Sequence, residues 1–217
     1  MFLALFDMDG TLIDSQAHIV GAMTQAFETH GHSAPNRDDV TTIVGLSLPQ
    51  ALFRLAPELP TDERDTLVEA YKDAFMDLRG QGHVSPMYPG ALACLDDLAA
   101  TDGVVLGIAT GKSRRGVDAV FEQHDLAQYF DTVQVADDHP SKPHPSMARA
   151  AVLQTGASVS TMIGDTTYDV EMGRSAGMHT IGVTWGYHSR NQLAPSSDAI
   201  CTSFSQVTQT LKGLMQP

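Results

Sequence analysis

The amino-terminal segment constrains the fold of this chain within eleven residues. Residues 2–6 are all apolar, and a run of this length is typical of a buried strand. The run leads into Asp7-Met8-Asp9-Gly10-Thr11, so two carboxylates lie at the end of a buried strand. Burial and repulsion disfavour the ionised forms of both, whereas a divalent cation with a preference for oxygen ligands, such as Mg²⁺, offsets that cost. The segment therefore predicts a strand that ends at a metal-associated acidic pair.

Five further apolar runs predict that the chain builds a parallel sheet. They alternate with helical patterns, which is typical of α/β domains with helices on both faces of the sheet. The later predicted strands are 104–109, 132–136, 161–163, 179–183 and 199–201. The helices predicted among them are 90–100, 113–124, 145–155, 168–176 and 205–215.

The segment between the first two predicted strands has a different character. It contains only helical patterns, over residues 15–30, 38–44, 47–55 and 61–78. We therefore expect an all-helical unit at residues 15–83, inserted into an α/β core formed by residues 1–14 and 84–217. The two crossings, near Asp14 and at residues 83–89, are candidate hinges.

Composition and charge disfavour two classes of partner, nucleic acids and anionic membranes. The chain has 217 residues, 42% of them hydrophobic, and a formal net charge of −13. Binding to nucleic acid or to an anionic membrane needs clustered Lys and Arg, so we expect neither partner. Cys94 and Cys201 have no metal-type spacing, and we find neither a signal peptide nor a membrane-length apolar run, so we expect a cytoplasmic protein. The sequence does not distinguish a monomer from a dimer.

Carboxylates follow several of the predicted strands. In open α/β sheets, ligands bind at the carboxyl ends of the strands, so these side chains are expected to converge. Asp7 is a potential nucleophile towards phosphorus, and Asp9 a potential acid and base for the leaving oxygen and for water. Asp165, after the fourth strand, can add a carboxylate for Mg²⁺.

Hydroxyl, amide and ammonium groups complete this predicted site. Thr110 offers a hydroxyl to a phosphoryl oxygen, and the amide of Gly111 lies at the start of a helix, where anions bind. Lys142 and the metal can offset charge on a transferring phosphoryl group. We expect the neighbouring basic residues, Lys112, Arg114 and Arg115, to form a solvated helix face.

Four ordered motifs of this chain resemble those of the haloacid dehalogenase superfamily. They are residues 7–12, Thr110-Gly111, Lys142-Pro143, and Gly164-Asp165 followed by Asp169. The resemblance spans the whole chain and preserves order and spacing. It implies a Rossmann-like core, a helical cap of type 1, and a Mg²⁺-dependent mechanism through an aspartyl-phosphate.

The resemblance also implies a role for each matching residue. The main-chain carbonyl of Asp9 would be a further metal ligand, and Asp169 would either assist the metal or hold the lysine. The expected catalytic residues are Asp7, Asp9, Thr110 and Lys142; the expected substrate-binding residues are Gly10, Thr110, Gly111 and Lys142; the expected Mg²⁺ ligands are Asp7, Asp9 and Asp165, supported by Asp169.

Within the superfamily, residues 142–145 and 183–187 are similar to stretches typical of phosphoglycolate phosphatases. The implied activity is hydrolysis of a small phosphorylated metabolite such as phosphoglycolate. Asp9 argues against dehalogenation, because dehalogenases lack the second aspartate. Val44 and Leu48 stand where β-phosphoglucomutases carry basic residues, which disfavours phosphotransfer. Three alternatives remain: hydrolysis of pyrophosphate on the same residues, phosphotransfer of the β-phosphoglucomutase type, and a non-catalytic binding protein.

Overall fold

The computed structural model describes residues 1–82 and 84–215, and six parallel strands form its single sheet. The strand order is β3-β2-β1-β4-β5-β6. The strands are β1 Phe2–Phe6, β2 Val104–Ala109, β3 Thr132–Gln134, β4 Val159–Gly164, β5 His179–Val183 and β6 Ala199–Cys201. The predicted α/β class is confirmed, although β3 ends two residues earlier than predicted and β4 is longer at both ends.

Helices connect these strands and fill the segment after β1. They are α1 Gln16–Thr29, α2 Arg37–Thr42, α3 Leu48–Leu55, α4 Thr61–Gly80, α5 Ala91–Ala99, α6 Arg114–His124, α7 Ser146–Thr155, α8 Thr167–Ser175, α9 Arg190–Leu193 and α10 Phe204–Leu214. The sequence did not predict the short α9 or a 3₁₀ helix at Ala127–Tyr129, because segments of three or four residues carry too little periodicity.

Strand β1 lies at the centre of the sheet, between β2 and β4. Its last residue, Phe6, is in register with Ile108 of β2 and Ile163 of β4. All five residues of β1 are buried, which explains its uninterrupted apolar sequence. The residues that follow β1, β2 and β4 therefore meet at one edge of the sheet.

Apolar side chains pack on both faces of the sheet. Phe2, Ala4 and Phe6 of β1 join a cluster with residues of α5, α6 and α10, whereas Leu3 and Leu5 join one with residues of α7 and α8. This alternation follows from the two-residue period of a strand. A third cluster lies largely within α1–α4 and the loops between them, so the helical segment has a hydrophobic core of its own.

The two chain crossings pair with each other. Asp14 donates its backbone N–H to the carbonyl of Pro86 at 2.8 Å, and Tyr88 donates to that of Leu12 at 2.9 Å. His83, at which the second predicted crossing begins and the predicted helical unit ends, lies outside the described residues, as do the last two residues of the predicted core. Within the described part of the chain, no helix is long and apolar enough to cross a membrane.

Candidate active site

Lys142 lies at the centre of a buried group of charges. Its Nζ donates to Asp7 Oδ1 at 2.7 Å and to Asp169 Oδ1 at 2.6 Å, and all three side chains are almost fully buried. Asp7 directly follows β1, Asp169 lies in the first turn of α8, and Lys142 belongs to the loop between β3 and α7. Buried charges are tolerated when they are paired, so each of these groups depends on its partners.

Two further sets of hydrogen bonds orient the carboxylates after β4. Asp165 accepts from the hydroxyl of Thr11 and from the backbone N–H of Tyr187, both at 2.8 Å. Asp169 accepts from the backbone N–H of Thr166 at 3.0 Å and forms a capping box with it at the start of α8. Asp169 therefore holds Lys142 with one oxygen and the helix terminus with the other.

Three buried carboxylates form a cluster that fits a divalent cation. One oxygen from each of Asp7, Asp165 and Asp169 lies within 4.8 Å of the others. Asp7 Oδ2 and Asp9 Oδ1 are buried without a hydrogen-bond partner among the described residues. Burial raises the pKa of Asp7 to about 7 and that of Asp165 well above its usual value. A divalent cation bound among these carboxylates would offset their negative charge and favour the ionised forms of Asp7 and Asp165.

The structure places the Asp9 side chain outside this cluster. Its Oδ2 lies 3.0 Å from Nζ of Lys112, which also lies 4.7 Å from the centre of the Phe75 ring in α4. The expectation that Lys112 is a solvated residue is therefore wrong. Lys112 precedes α6, and from there its side chain spans the cleft between Asp9 and the helical segment; Arg114 and Arg115, in the helix itself, are exposed as predicted.

The predicted phosphate-binding residues surround the same edge of the sheet. The hydroxyl of Thr110 is buried and accepts from the backbone N–H of Lys112 at 3.1 Å. At Gly111 a Cβ would lie 2.5 Å from the carbonyl oxygen of Leu46, so this loop touches the helical segment. Gly10 has φ +89°, and its Cβ would lie 2.3 Å from Asp165 Oδ2, which only glycine avoids.

The sequence analysis assigned no catalytic or binding role to several residues of the site. Thr11, Tyr187 and Lys112 make the contacts described above, and a Cβ at Gly186 would lie 2.2 Å from Asp165 Oδ2. Two of them belong to residues 183–187, which carried the family resemblance without an assigned role. Their position after β5, at the same edge of the sheet, is the signal that could have identified them.

A cavity of about 280 Å³ opens between these residues and the helical segment. Asp7, Asp9 and Thr110 line its floor, and side chains of α1, α3, α4 and the loop before α3 line its walls. The loop before α3 also contacts the core, because Ser47 donates its backbone N–H to Ser141 Oγ at 2.8 Å. The helical segment therefore covers the candidate active site.

Comparisons with known proteins agree with this geometry. Residues 4–183 match the family described as haloacid dehalogenase-like hydrolase. The chain is 36% identical to "Probable phosphatase IndB" of Dickeya dadantii, over 99% of this chain and 95% of that protein. It is 29% identical to a phosphoglycolate phosphatase of Agrobacterium fabrum, over 96% of this chain and 91% of that one.

A solved structure extends the likeness to the fold. A chain from Bacteroides fragilis, described as a haloacid dehalogenase-like hydrolase, superposes with a TM-score of 0.86 at 25% identity. The superposition covers 94% of this chain and 98% of that one. The protein therefore belongs to the haloacid dehalogenase-like hydrolase family and is a hydrolase of the phosphatase type.

Proposed function

We propose that this protein is a Mg²⁺-dependent phosphatase that hydrolyses a small phosphorylated metabolite through an aspartyl-phosphate on Asp7. The observation that carries this proposal is the difference between the two oxygens of the Asp7 carboxylate. Lys142 binds Oδ1, whereas the buried Oδ2 has no partner within the described residues. One oxygen is thus fixed, and the other is available to attack phosphorus.

The residues around Asp7 support a reaction in two steps. In the first, a carboxylate oxygen of Asp7 forms a bond to phosphorus as the bond to the leaving oxygen breaks, and Asp9 donates a proton to that oxygen. In the second, Asp9 removes a proton from water, whose oxygen attacks phosphorus. Inorganic phosphate leaves and the Asp7 carboxylate is restored.

The remaining residues compensate charge and orient the phosphoryl group. Mg²⁺ bound by Asp7, Asp165 and the main-chain carbonyl of Asp9 would supply positive charge next to the transferring group. Lys142 supplies a second positive charge and is held in place by Asp169. The Thr110 hydroxyl and the Gly111 amide are the proposed donors to the phosphoryl oxygens, and Gly10 leaves room for the ligand.

Residues 15–83 act in this proposal as a cap over a core of residues 1–14 and 84–217. Contacts across the cleft support this division: Lys112 lies over Phe75, and Ser47 binds Ser141. A covered site excludes water and strengthens the interactions with the phosphoryl group. The two free, buried cysteines are consistent with the proposed cytoplasmic location.

The test is release of inorganic phosphate by the purified protein from a panel of phosphate esters, with pyrophosphate alongside. We expect release from at least one ester with Mg²⁺ and none with EDTA. A clear preference for pyrophosphate would replace the ester assignment. Conversion of a sugar phosphate into its isomer without phosphate release would favour phosphotransfer. Absence of Mg²⁺-dependent turnover on every compound would favour the binding protein.

A further inference from the structure

The wall of the cavity that faces the catalytic residues is built from apolar side chains. Helices α1, α3 and α4 of the proposed cap and the loop before α3 contribute them. Six that line the cavity are Ile19, Met23, Val44, Leu46, Leu48 and Phe75. A leaving group attached to a phosphoryl group on Asp7 must occupy the space that these side chains enclose.

Each positively charged side chain that lines this cavity in the described part of the chain either pairs with a carboxylate or is exposed to solvent. Among the described lining residues, Lys112 pairs with Asp9 at 3.0 Å, and Lys72 pairs with Glu69 at 2.6 Å. Arg115 is exposed. Tyr71, which also lines the cavity, stays neutral, because burial and the charge of Asp9 raise its pKa. The interior of the cavity therefore offers little to balance a second negative charge on the substrate.

The size of the cavity also favours a leaving group larger than a two-carbon acid. About 280 Å³ is near the lower limit for pockets that bind compact organic ligands, and exceeds what a phosphoryl group and a two-carbon acid fill. Apolar walls around unfilled space lose the contacts that a closely fitting apolar group would supply.

We propose that the substrate is a phosphate monoester whose leaving group has an apolar body of several carbon atoms, rather than a short hydroxy acid such as glycolate. This inference rests on the proposed phosphatase function and refines its substrate class. The residues of the cap wall, with Val44 and Phe75 among them, determine this specificity by contacting the body of the leaving group. The catalytic residues contact the phosphoryl group, which all such esters share.

A series of primary n-alkyl phosphates from ethyl to hexyl phosphate tests the proposal. Their leaving alcohols have nearly equal acidity, so differences in kcat/KM report on contacts with the chain rather than on leaving-group chemistry. We expect kcat/KM to rise by up to about fourfold for each methylene that is buried. We also expect kcat/KM for hexyl phosphate to exceed kcat/KM for phosphoglycolate by more than about tenfold.

A pair of matched variants assigns this preference to the cavity wall. Val44→Thr places a hydroxyl in the wall at unchanged shape, and should lower the ratio of kcat/KM for hexyl to ethyl phosphate by at least about threefold. Val40→Thr makes the same change within the same hydrophobic cluster, away from the cavity lining, and should leave that ratio unchanged. Thermal unfolding of both variants separates a change in specificity from a loss of stability.

The results separate this inference from the proposed function. Release of phosphate with no rise along the series, or a preference for phosphoglycolate, overturns the inference and leaves the phosphatase intact. Equal ratios in the Val44 and Val40 variants also overturn the assignment to the wall. No Mg²⁺-dependent release from any ester, phosphoglycolate or pyrophosphate overturns the proposed function itself.

Discussion

The two sides of the cavity differ in how they are built. On the side of the sheet, buried charges follow the ends of parallel strands, and each is held by a partner such as Lys142 or Thr11. On the side of the helices, the wall is apolar and is held by the packing of α1–α4. Removing one partner of a buried charge is severe, whereas apolar side chains exchange with smaller losses. In the proposed function, the sheet edge therefore carries the chemistry, and the helices determine the selectivity.

The largest effect is expected at the nucleophile on the sheet side. Asp7→Asn removes the carboxylate that we propose attacks phosphorus, and should lower kcat by about 10⁴-fold or more. Phosphate release with Mg²⁺ measures this loss. Asp97→Asn, at an exposed carboxylate of α5, should leave activity unchanged. Near-normal activity in the Asp7 variant would show that this residue is not the nucleophile.

The next largest effect is expected at a buried lysine, and an exposed lysine–carboxylate pair serves as its comparison. Lys142→Ala leaves two buried carboxylates uncompensated, and should lower kcat by about 10³-fold and stability by about 3–5 kcal/mol. Lys212→Ala breaks the exposed pair with Asp97, for which about 0–1 kcal/mol is expected. Urea unfolding and phosphate release measure both quantities. Equal losses of stability would contradict the importance of burial.

A smaller effect is expected where the two sides touch. In Gly111→Ala, the new Cβ would lie 2.5 Å and 2.7 Å from the carbonyl oxygens of Leu46 and Gly45, so the loop before α3 must move away. Displacement of this wall should lower kcat/KM on the order of 10²-fold. Gly213→Ala in α10, where a Cβ meets nothing within 4 Å, is the control. Unchanged kcat/KM for the Gly111 variant would show that the contact has no catalytic importance.

Without the metal, the stability of the protein should depend on pH, because a buried carboxylate on the sheet side then resists ionisation. The pKa of Asp7 is raised to about 7 from 3.8, so the folded metal-free protein keeps a proton that the unfolded chain releases. This contribution to stability is complete below about pH 3.8 and is lost as the pH rises through about 7. The unfolding temperature in EDTA should therefore fall between pH 5 and pH 8.

Mg²⁺ should reverse this loss, because metal binding requires the ionised carboxylate. Its stabilising effect on the unfolding temperature should be larger at pH 8 than at pH 5. Asp7→Asn carries no titrating group at this position and should show a flatter pH dependence in EDTA. A wild-type protein whose response to Mg²⁺ is the same at both pH values would contradict this assignment.

The smallest effect is expected where a residue of α8 contacts the helical segment. The Tyr168 hydroxyl donates to the carbonyl oxygen of Thr42 at 3.0 Å and accepts from Arg54 at 2.7 Å. Partly exposed hydrogen bonds contribute about 1 kcal/mol, so Tyr168→Phe should raise KM up to about fivefold at unchanged kcat. Tyr129→Phe removes a hydroxyl that donates to Asp96 in an exposed hydrogen bond away from the cavity. This control variant should change neither KM nor kcat.

Much of the sheet side could be predicted from the sequence. Asp7, Thr110 and Asp165 each follow a strand that its apolar run identifies, and the parallel order brings the strand ends together. The positions of Thr11 and Tyr187 were not predicted. Their contacts with Asp165 depend on how two loops from distant parts of the chain turn towards each other, which local periodicity does not encode.

The pairing of Lys112 with Asp9 also could not be predicted from the sequence. Its position before a helix and beside two arginines predicted a solvated face, but the structure places it between Asp9 and Phe75. A side chain is directed by the backbone of its loop and by the surfaces across the cleft, and both depend on how the helical segment packs on the core. The role of Asp169 was likewise open between metal and lysine, and in the structure it holds Lys142.

The segment at Asp7 and Asp9 shows what each level of description determines. The sequence alone determined that two carboxylates follow a buried strand, because an apolar run and its ending are local properties. Only the tertiary structure separated them, joining Asp7 to Lys142 and Asp9 to Lys112. The apolar wall above them was equally invisible, because its side chains read as an ordinary helical core until packing leaves a cavity beside them. Partners that lie over 100 residues apart in the chain are chosen by the packing of the whole fold.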